Sequence, residues 1–467
     1  MVTMSAARLA EIVTGEVVAG LPQSVFRGVE VDTRAIHRGM AFFALPGERV
    51  DGHGFVGAAA AAGARVAVVS RFDATVVQQL GDTAFAVVLV ADVAEALRAL
   101  AAHHRGTLRC PVIGITGSTG KTSTKDFLVA ALGTDRNVCA TRGNRNNELG
   151  VPLTVLEAGQ STGVLIVEMG MRAEGEIEGL CTVARPTDGI VTNIGQTHLE
   201  TLGSQEAIAR AKGELVGCIP SSGRVFLNGD DAWSRSLEAR SAAPVTWYGL
   251  GKSVDVRATD LVVDDLGRPS FTLHAGPDSA RVSLPLPGRH HAYTAAAAAA
   301  AALYLGVPLA DVAARLRDVR VTDMRMQVFL AANGVTVVND AYNANPTSMR
   351  AAVDALADMK SSGERVAVLG DMAELGSLTE LAHFRIGEAL ARTGIEQLVT
   401  VGERARRIAE GALAVGMAPE RVRPCATVEE ASEVLDDLVS AGDVVLVKAS
   451  RSMGLERIVE MILASDV

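Results

Sequence analysis

The stretch Val112-Ile-Gly-Ile-Thr-Gly-Ser-Thr-Gly-Lys-Thr122 decides how the chain is read. Val112–Thr116 reads as a strand and Thr122–Leu132 as a helix, the setting that a phosphate-cradling loop requires. Gly117 and Gly120 let the backbone come close to a phosphate and turn its N–H groups inward. Lys121 can reach β- and γ-phosphates, and the Thr122 hydroxyl can ligate Mg²⁺. The helix N-terminus adds a favourable dipole. Ser118, Thr119 and Ser123 complete the candidate nucleotide-binding set. The strict pattern has glycine five residues before Gly120, where this chain has Ile115, so the loop is a variant. The alternative is an ordinary glycine-rich turn, which the Gly-Lys-Thr in this position disfavours.

Outward from this loop the chain divides into three blocks. Residues 1–107 hold short apolar runs, Val66–Val69 and Ala86–Val90, and end in a helical stretch, Val93–His104. Residues 108–320 alternate strands (Val164–Glu168, Gly189–Thr192, Arg224–Leu227) with helices such as Ser204–Gly217. That alternation predicts a parallel α/β sheet. Eight consecutive alanines, Ala295–Ala302, predict a tightly packed buried helix. Residues 321–467 repeat strand–helix units on Val335–Asn339, Val366–Leu369, Gln397–Val401 and Val444–Lys448, which predicts a second, smaller doubly wound domain. The expected fold is therefore α/β in three domains.

Composition narrows the function. The 467 residues are 48% hydrophobic and 4% aromatic, so the cores must be built from Ala, Val and Leu, as suits helices on parallel strands. A net charge of -10 argues against general nucleic-acid binding. An anionic ligand would need a local pocket of N–H groups and basic side chains. Cys110, Cys139, Cys181, Cys218 and Cys425 are scattered, as expected for core residues in a reducing cytosol. No leader pattern or bilayer-length apolar run stands out, so a soluble, cytoplasmic protein without membrane partners is expected.

Polar residues close several apolar strands, where open α/β sheets place their sites. Glu168 ends Val-Leu-Ile-Val-Glu, Asn193 follows Ile-Val-Thr, and His198 lies just beyond. Lys212 falls on the helix Ser204–Gly217. Glu168 could hold a magnesium ion that bridges phosphates. Taken alone, Glu168 reads equally as a helix cap, His198 as a loop histidine and Lys212 as a solvated lysine. Their joint placement favours a site.

An ordered set of motifs then points to a family. Gly117–Thr122 is followed by Gly143-Asn-Arg-Asn-Asn-Glu-Leu-Gly-Val-Pro152, Glu168-Met-Gly170 and Thr192-Asn-Ile-Gly-Gln-Thr-His198. After these come Asn339-Asp-Ala-Tyr-Asn-Ala-Asn-Pro346, Leu369-Gly-Asp-Met-Ala-Glu-Leu-Gly376 and Val447-Lys-Ala-Ser-Arg-Ser-Met453. Asp32-Thr-Arg34 and Phe42–His53 precede them. The set resembles the Mur ligases, specifically their D-alanyl-D-alanine-adding branch, over nearly the whole chain.

The resemblance implies an N-terminal UDP-substrate domain, a central P-loop ATPase domain and a C-terminal Rossmann-like domain. It implies an ATP- and Mg²⁺-dependent ligase that joins D-alanyl-D-alanine to UDP-N-acetylmuramoyl-tripeptide through an acyl-phosphate. The sequence does not set the oligomeric state, and a monomer is the expectation. Lys121, Lys212, His198 and Glu168 would be the catalytic set. Thr122 and Glu168 would hold one Mg²⁺, His198 would contact a second, and Lys212 would contribute once carbamylated. His290, Arg325, Asp340, Tyr342, Asn343 and Asn345 would face the nucleotide or the transferred phosphate. Thr33, Arg34, Phe43, Leu45, Gly47, Asn144, Asn146 and Asn147 would face the other substrates. The family's His-Asn-x-x-Asn is departed from at His291 and Thr294. A sister ligase, a folylpolyglutamate-type synthetase and an ATP-binding switch are the alternatives. The third residue of the tripeptide is left open.

Overall fold

The computed structural model describes residues 1–47, 50–72 and 85–464, so Glu48 and Arg49 of the Phe42–His53 motif lie outside the described residues. Three α/β domains follow one another along the chain, each on its own main sheet. The expected strands all form, as does the alanine-rich helix, which runs His291–Tyr304. Among the described residues no helix is long and apolar enough to cross a membrane. All five cysteines are free, with Cys110, Cys181 and Cys425 buried and the other two partly so.

The central domain holds nine strands. Their order is Asp278–Ser283, Pro269–Ala275, Val256–Val263, Val245–Gly249, Arg224–Asn228, Asp188–Val191, Val112–Thr116, Val164–Glu168 and Val138–Ala140. The sheet is parallel from Val138–Ala140 to Val256–Val263, and the last two strands are antiparallel. The expected all-parallel sheet is thus extended by a meander. Its strands alternate more and less buried positions, the pattern of a sheet packed on one face, and the reading by strand–helix units passes over it.

Val112–Thr116 lies between Asp188–Val191 and Val164–Glu168, with Ile115 opposite Glu168 and Thr116 opposite Val191. From Val112–Thr116 the chain runs first to one side, then crosses back to Asp188–Val191 on the other. This reversal opens a crevice at the carboxyl ends of the three strands. Helix Lys121–Leu132 and helix His291–Tyr304 pack together on one face. All eight alanines from Ala295 to Ala302 are buried. A helix so small on every side approaches sheet and helix closely without ridges to interlock.

The first domain has a five-stranded sheet, Glu16–Ala19, Ala86–Leu89, Val66–Val69, Ala41–Phe43 and Val29–Glu30 in spatial order, and the helix Val93–Thr107 leads into the central domain. The third domain has six strands, ordered Gln327–Leu330, Thr336–Asn339, Val444–Lys448, Arg365–Gly370, Gln397–Val401 and Val422–Cys425, with only Gln327–Leu330 antiparallel. It is docked on the central domain. Thr322 N–H donates to Asp126 (2.7 Å), Lys360 N–H to the Asp265 carbonyl (2.8 Å), and Arg289 pairs with Asp358 at 2.7 Å.

One helix of the third domain shapes a loop at the crevice. Thr379–Ala391 carries the fully buried His383, whose Nε2 accepts from Met372 N–H (2.9 Å) while Nδ1 donates to the Thr379 carbonyl (2.7 Å). One turn on, Gly387 faces helix Arg406–Ala414, and a Cβ there would lie 1.8 Å from the Ile408 carbonyl oxygen. The two helices approach this closely only because the methyl is missing. Gly387→Ala should therefore destabilise the protein by about 1–3 kcal/mol, the usual range for overpacking. A thermal midpoint equal to the parent's, in a melt followed by circular dichroism, would contradict this packing.

Candidate active site

A cleft of about 1660 Å³ runs over the carboxyl ends of the central strands and is walled by all three domains. Its floor is the loop Gly117–Thr122. Gly117 has φ +148°, and a Cβ there would lie 1.8 Å from Thr192 Oγ1. The neighbouring strand end holds the loop tightly. Ser118 N–H donates to the Asn193 carbonyl (2.9 Å), Thr119 N–H to Asn193 Oδ1 (3.0 Å), and Thr192 Oγ1–H to the Thr119 carbonyl (2.6 Å). Asn193 is thereby a buttress of the loop. Lys121 Nζ folds back onto the Gly117 carbonyl at 2.7 Å, and desolvation pushes its ammonium below the usual lysine range.

Glu168 and Thr122 meet as the sequence suggests. Thr122 Oγ1–H donates to Glu168 Oε2 at 2.9 Å, and Asn146 Nδ2–H donates to Glu168 Oε1 at 2.7 Å. Arg325, from the third domain, reaches Thr122 Oγ1 at 3.3 Å and lies 4.2 Å over the Tyr342 ring. Asn146 belongs to a loop tied to the first domain: Arg145 next to it bridges Glu30 at 2.9 Å and Glu157 at 3.1 Å. Glu168 thus sits where ties from all three domains converge. Asn144 also lines the cleft. Asn147 lines it too, while its Oδ1 accepts from Gly150 N–H (2.9 Å) at the start of helix Gly150–Glu157.

His198 and Lys212 are not bonded to this pair. His198 lines the cleft and gives Nδ1 to Glu374 of the third domain at 2.6 Å. Lys212, only 1% exposed, lies on helix Gln205–Cys218 and is absent from the lining of the cleft. It makes no hydrogen bond or ion pair among the described residues. Burial, and secondarily Lys121, push its ammonium far below the usual range. Burial without a counter-charge favours the uncharged amine over the ammonium at this position.

No group of three or more His, Cys, Asp or Glu that could cage a metal exists among the described residues. Magnesium held chiefly by phosphate oxygens and water needs one or two protein oxygens, and Thr122 with Glu168 offers that donor set.

In the third domain Asp340 follows the strand Thr336–Asn339 and takes Lys448 Nζ at 2.5 Å. The same ammonium donates to the Asn343 carbonyl at 2.9 Å. Asn345 caps helix Pro346–Asp358, its Oδ1 accepting from Ser348 N–H at 2.9 Å. These residues line the cleft, but Asp340 and Asn345 are already engaged within their domain.

The first-domain candidates are placed apart. None of Thr33, Arg34, Phe43, Leu45 and Gly47 lines this cleft. Phe43 is fully buried in the core, so a ligand could meet only its main chain. Arg34 pairs with Asp32 at 2.6 Å and is largely exposed. The first domain reaches the cleft instead through helix Val93–Thr107, at Glu95, Arg98, Ala99 and Ala102. Sequence reasoning missed these, together with Lys448 and Glu374. For Glu374 the Leu369–Gly376 motif was the available signal.

His290 and His291 line the cleft beside the helix N-terminus. His291 is 2% exposed, its ring stacks on Phe127 with centroids 5.6 Å apart, and both its nitrogens lack a partner among the described residues. Burial, and secondarily His290, push its imidazolium well below the usual range. An unfolded chain takes up this proton near pH 6.5 while the folded one does not, so acid must cost stability here. His291→Asn should flatten the fall in stability between pH 7 and pH 5. Denaturant titrations at the two pH values measure it, and an unchanged slope would contradict a neutral buried ring.

Known proteins match this architecture from end to end. The chain matches the Mur ligase middle domain over residues 115–302 and the Mur ligase glutamate ligase domain over 324–451. It matches the Mur ligase family catalytic domain over 25–105. It is 40% identical to the UDP-N-acetylmuramoyl-tripeptide--D-alanyl-D-alanine ligase of Mycobacterium bovis, over 100% of this chain and 99% of that one. The crystal structure of MurF from Acinetobacter baumannii superposes with a TM-score of 0.86 at 32% identity, covering 100% of both chains. MurF ligase from Thermotoga maritima in complex with ADP gives 0.79 at 27%, covering 94% of this chain and 97% of that one. With a phosphate loop, a strand-end glutamate and three docked α/β domains in the same order as these relatives, the chain belongs to the Mur ligase family.

Proposed function

We propose that the protein joins D-alanyl-D-alanine to UDP-N-acetylmuramoyl-tripeptide at the expense of ATP, in the cytoplasm, as a step of peptidoglycan precursor synthesis. The observation that carries this reading is the phosphate loop bonded through Thr122 to Glu168, in a cleft walled by three domains. The relatives carrying this name match over the full chain, and ADP occupies a related structure.

A carboxylate is a poor electrophile toward an amine at neutral pH. Phosphorylation corrects this. A carboxylate oxygen of the tripeptide attacks the γ-phosphorus of ATP, and ADP leaves. The dipeptide's amine then attacks the acyl carbon, the tetrahedral intermediate expels phosphate, and the amine proton is released. Such chemistry asks the protein mainly for positioning and charge stabilisation.

The N–H groups at the start of helix Lys121–Leu132 and the Lys121 side chain would receive the phosphates, and Arg325 would bring a charge from the third domain. Glu168 and Thr122 would hold Mg²⁺, with His198 at a second ion. Magnesium would supply charge neutralisation on the phosphate oxygens. Lys212, buried and without a partner among the described residues, is suited to capture CO₂ as a carbamate, which would place an oxygen donor where the chain has a lysine nitrogen. The docked third domain would keep water from the acyl-phosphate.

Phosphate release should require the UDP-tripeptide and D-alanyl-D-alanine together. Release with ATP alone would favour a switch, and release with a single amino acid a sister ligase. Lys121→Ala should lower turnover by roughly 10²–10³-fold or more and leave UDP-tripeptide binding by calorimetry near the parent's. Normal turnover would refute the loop assignment. Lys212→Ala should be inactive and partly restored by a small added carboxylate. Absence of rescue would count against the carbamate while leaving the ligase reading intact.

A further inference from the structure

The His198–Glu374 contact joins two domains through two strained residues. His198 has φ +55° and Glu374 φ +62°, left-handed conformations that non-glycine residues rarely adopt and that gather at functional positions. His198 stands at the start of the short helix Leu199–Leu202, just beyond the loop Thr192–Thr197 that buttresses the phosphate loop. Glu374 comes from the third domain, in the loop after strand Arg365–Gly370.

That loop is held on several sides within its own domain. Asp371 Oδ1 accepts from Ala405 N–H (2.8 Å), Met372 N–H donates to the buried His383 (2.9 Å), and Ala373 N–H donates to Ser450 Oγ (2.9 Å). Next to Glu374, Leu375 is buried, and Gly376 lies against the backbone of Glu200, where a Cβ would come within 3.0 Å of the Glu200 Cα. The Glu374 carboxylate is thus delivered to His198 by a framed loop on a docked domain. Nδ1 meets it at 2.6 Å, and Nε2 makes no hydrogen bond among the described residues.

We propose that Glu374 is a positioning residue: by accepting from Nδ1–H it fixes the ring and tautomer of His198, leaving the Nε2 lone pair for a divalent cation. Carboxylates commonly orient metal-binding histidines in this way. Here the carboxylate and the histidine lie on different domains, so the histidine is set for the cation only while the third domain is docked. The assignment rests on the proposed nucleotide- and magnesium-dependent reaction and adds to it a link between docking and cation binding.

The test uses full-length protein with ¹⁵N-labelled histidine at neutral pH. The chain has nine histidines, and the His198 ring signals are identified by their loss in His198→Gln. In the parent they should show the Nδ1–H tautomer. Glu374→Ala should shift them toward the Nε2–H form, which an unconstrained histidine side chain prefers, and weaken Mn²⁺ binding in the presence of ADP, read by electron paramagnetic resonance, by about 10–100-fold. Glu374→Gln keeps an acceptor oxygen and should retain the parent tautomer, with at most a few-fold loss of Mn²⁺ affinity. A parent-like tautomer and affinity in Glu374→Ala would overturn the proposal, and so would equal losses in Glu374→Gln and Glu374→Ala. A parent enzyme that ligates normally while Glu374→Ala keeps the tautomer sinks this inference alone. A parent that does not ligate sinks the proposed function and leaves the tautomer readout standing.

Discussion

The hydrogen bond from Thr122 Oγ1 to Glu168 Oε2, 2.9 Å long, forms only if two strand ends arrive side by side. Thr122 follows the loop after Val112–Thr116, and Glu168 closes the neighbouring parallel strand in register with Ile115. Parallel pairing brings both carboxyl ends to one edge, whereas an antiparallel pair would send one of them to the opposite side. Helix Lys121–Leu132 then begins directly above the strand it follows, so its free N–H groups point into the same crevice. The third neighbour, Asp188–Val191, contributes Thr192 and Asn193, which hold the loop's own N–H and carbonyl groups. Loop conformation, carboxylate position and helix direction all follow from the order of three strands.

From this centre the other domains are connected by short polar chains. Glu168 receives Asn146, and the adjacent Arg145 bridges to Glu30 of the first domain. Thr122 receives Arg325 of the third domain. A displacement of either outer domain would therefore be felt at Glu168 within two or three side chains. Arg325 is held over the Tyr342 ring, which limits how its charge can reorient. Coupling of this kind needs no long pathway, because the elements already meet at one carboxylate.

Much of this was legible in the sequence, and the reasons are physical. The phosphate loop, Glu168 and the strands of both doubly wound domains announce themselves, because apolar runs of five or six residues and glycine spacing are local signals. The meander Val256–Ser283 was not read, since half-exposed alternating strands carry little apolar signal beside buried parallel ones. The engagement of Asp340 by Lys448 spans more than a hundred positions, and residue order alone does not set such distances. Phe43 shows a similar limit. A motif position says which residue is fixed, not whether its side chain or its backbone faces the cleft, and here the ring is in the core. Glu374 was inside a recognised motif, yet its partner His198 is on another domain, and only docking brings them together.

The distribution of lysines shows how an acidic chain prepares a place for a polyanion. Lys121 and Lys448 line the crevice, Lys125 follows on the helix that begins at Lys121, and Lys212 is buried within electrostatic reach of Lys121. Lys448 is neutralised by Asp340, and Lys125 by Asp126 at 3.0 Å with a further bond to the Thr141 carbonyl. Lys121 has only the Gly117 carbonyl, and Lys212 has no partner of its own among the described residues. Burying an ammonium without a counter-charge is costly, and the usual escape is loss of the proton. The two paired lysines therefore behave as structural cations whose charge is already spent on the protein. The two without a bonded carboxylate differ in exposure: Lys121 lines the cleft, where a phosphate can reach its ammonium, while Lys212 is 1% exposed and does not line it. Access to the cleft, rather than residue type, thus decides which of the two lysines can meet an anion there.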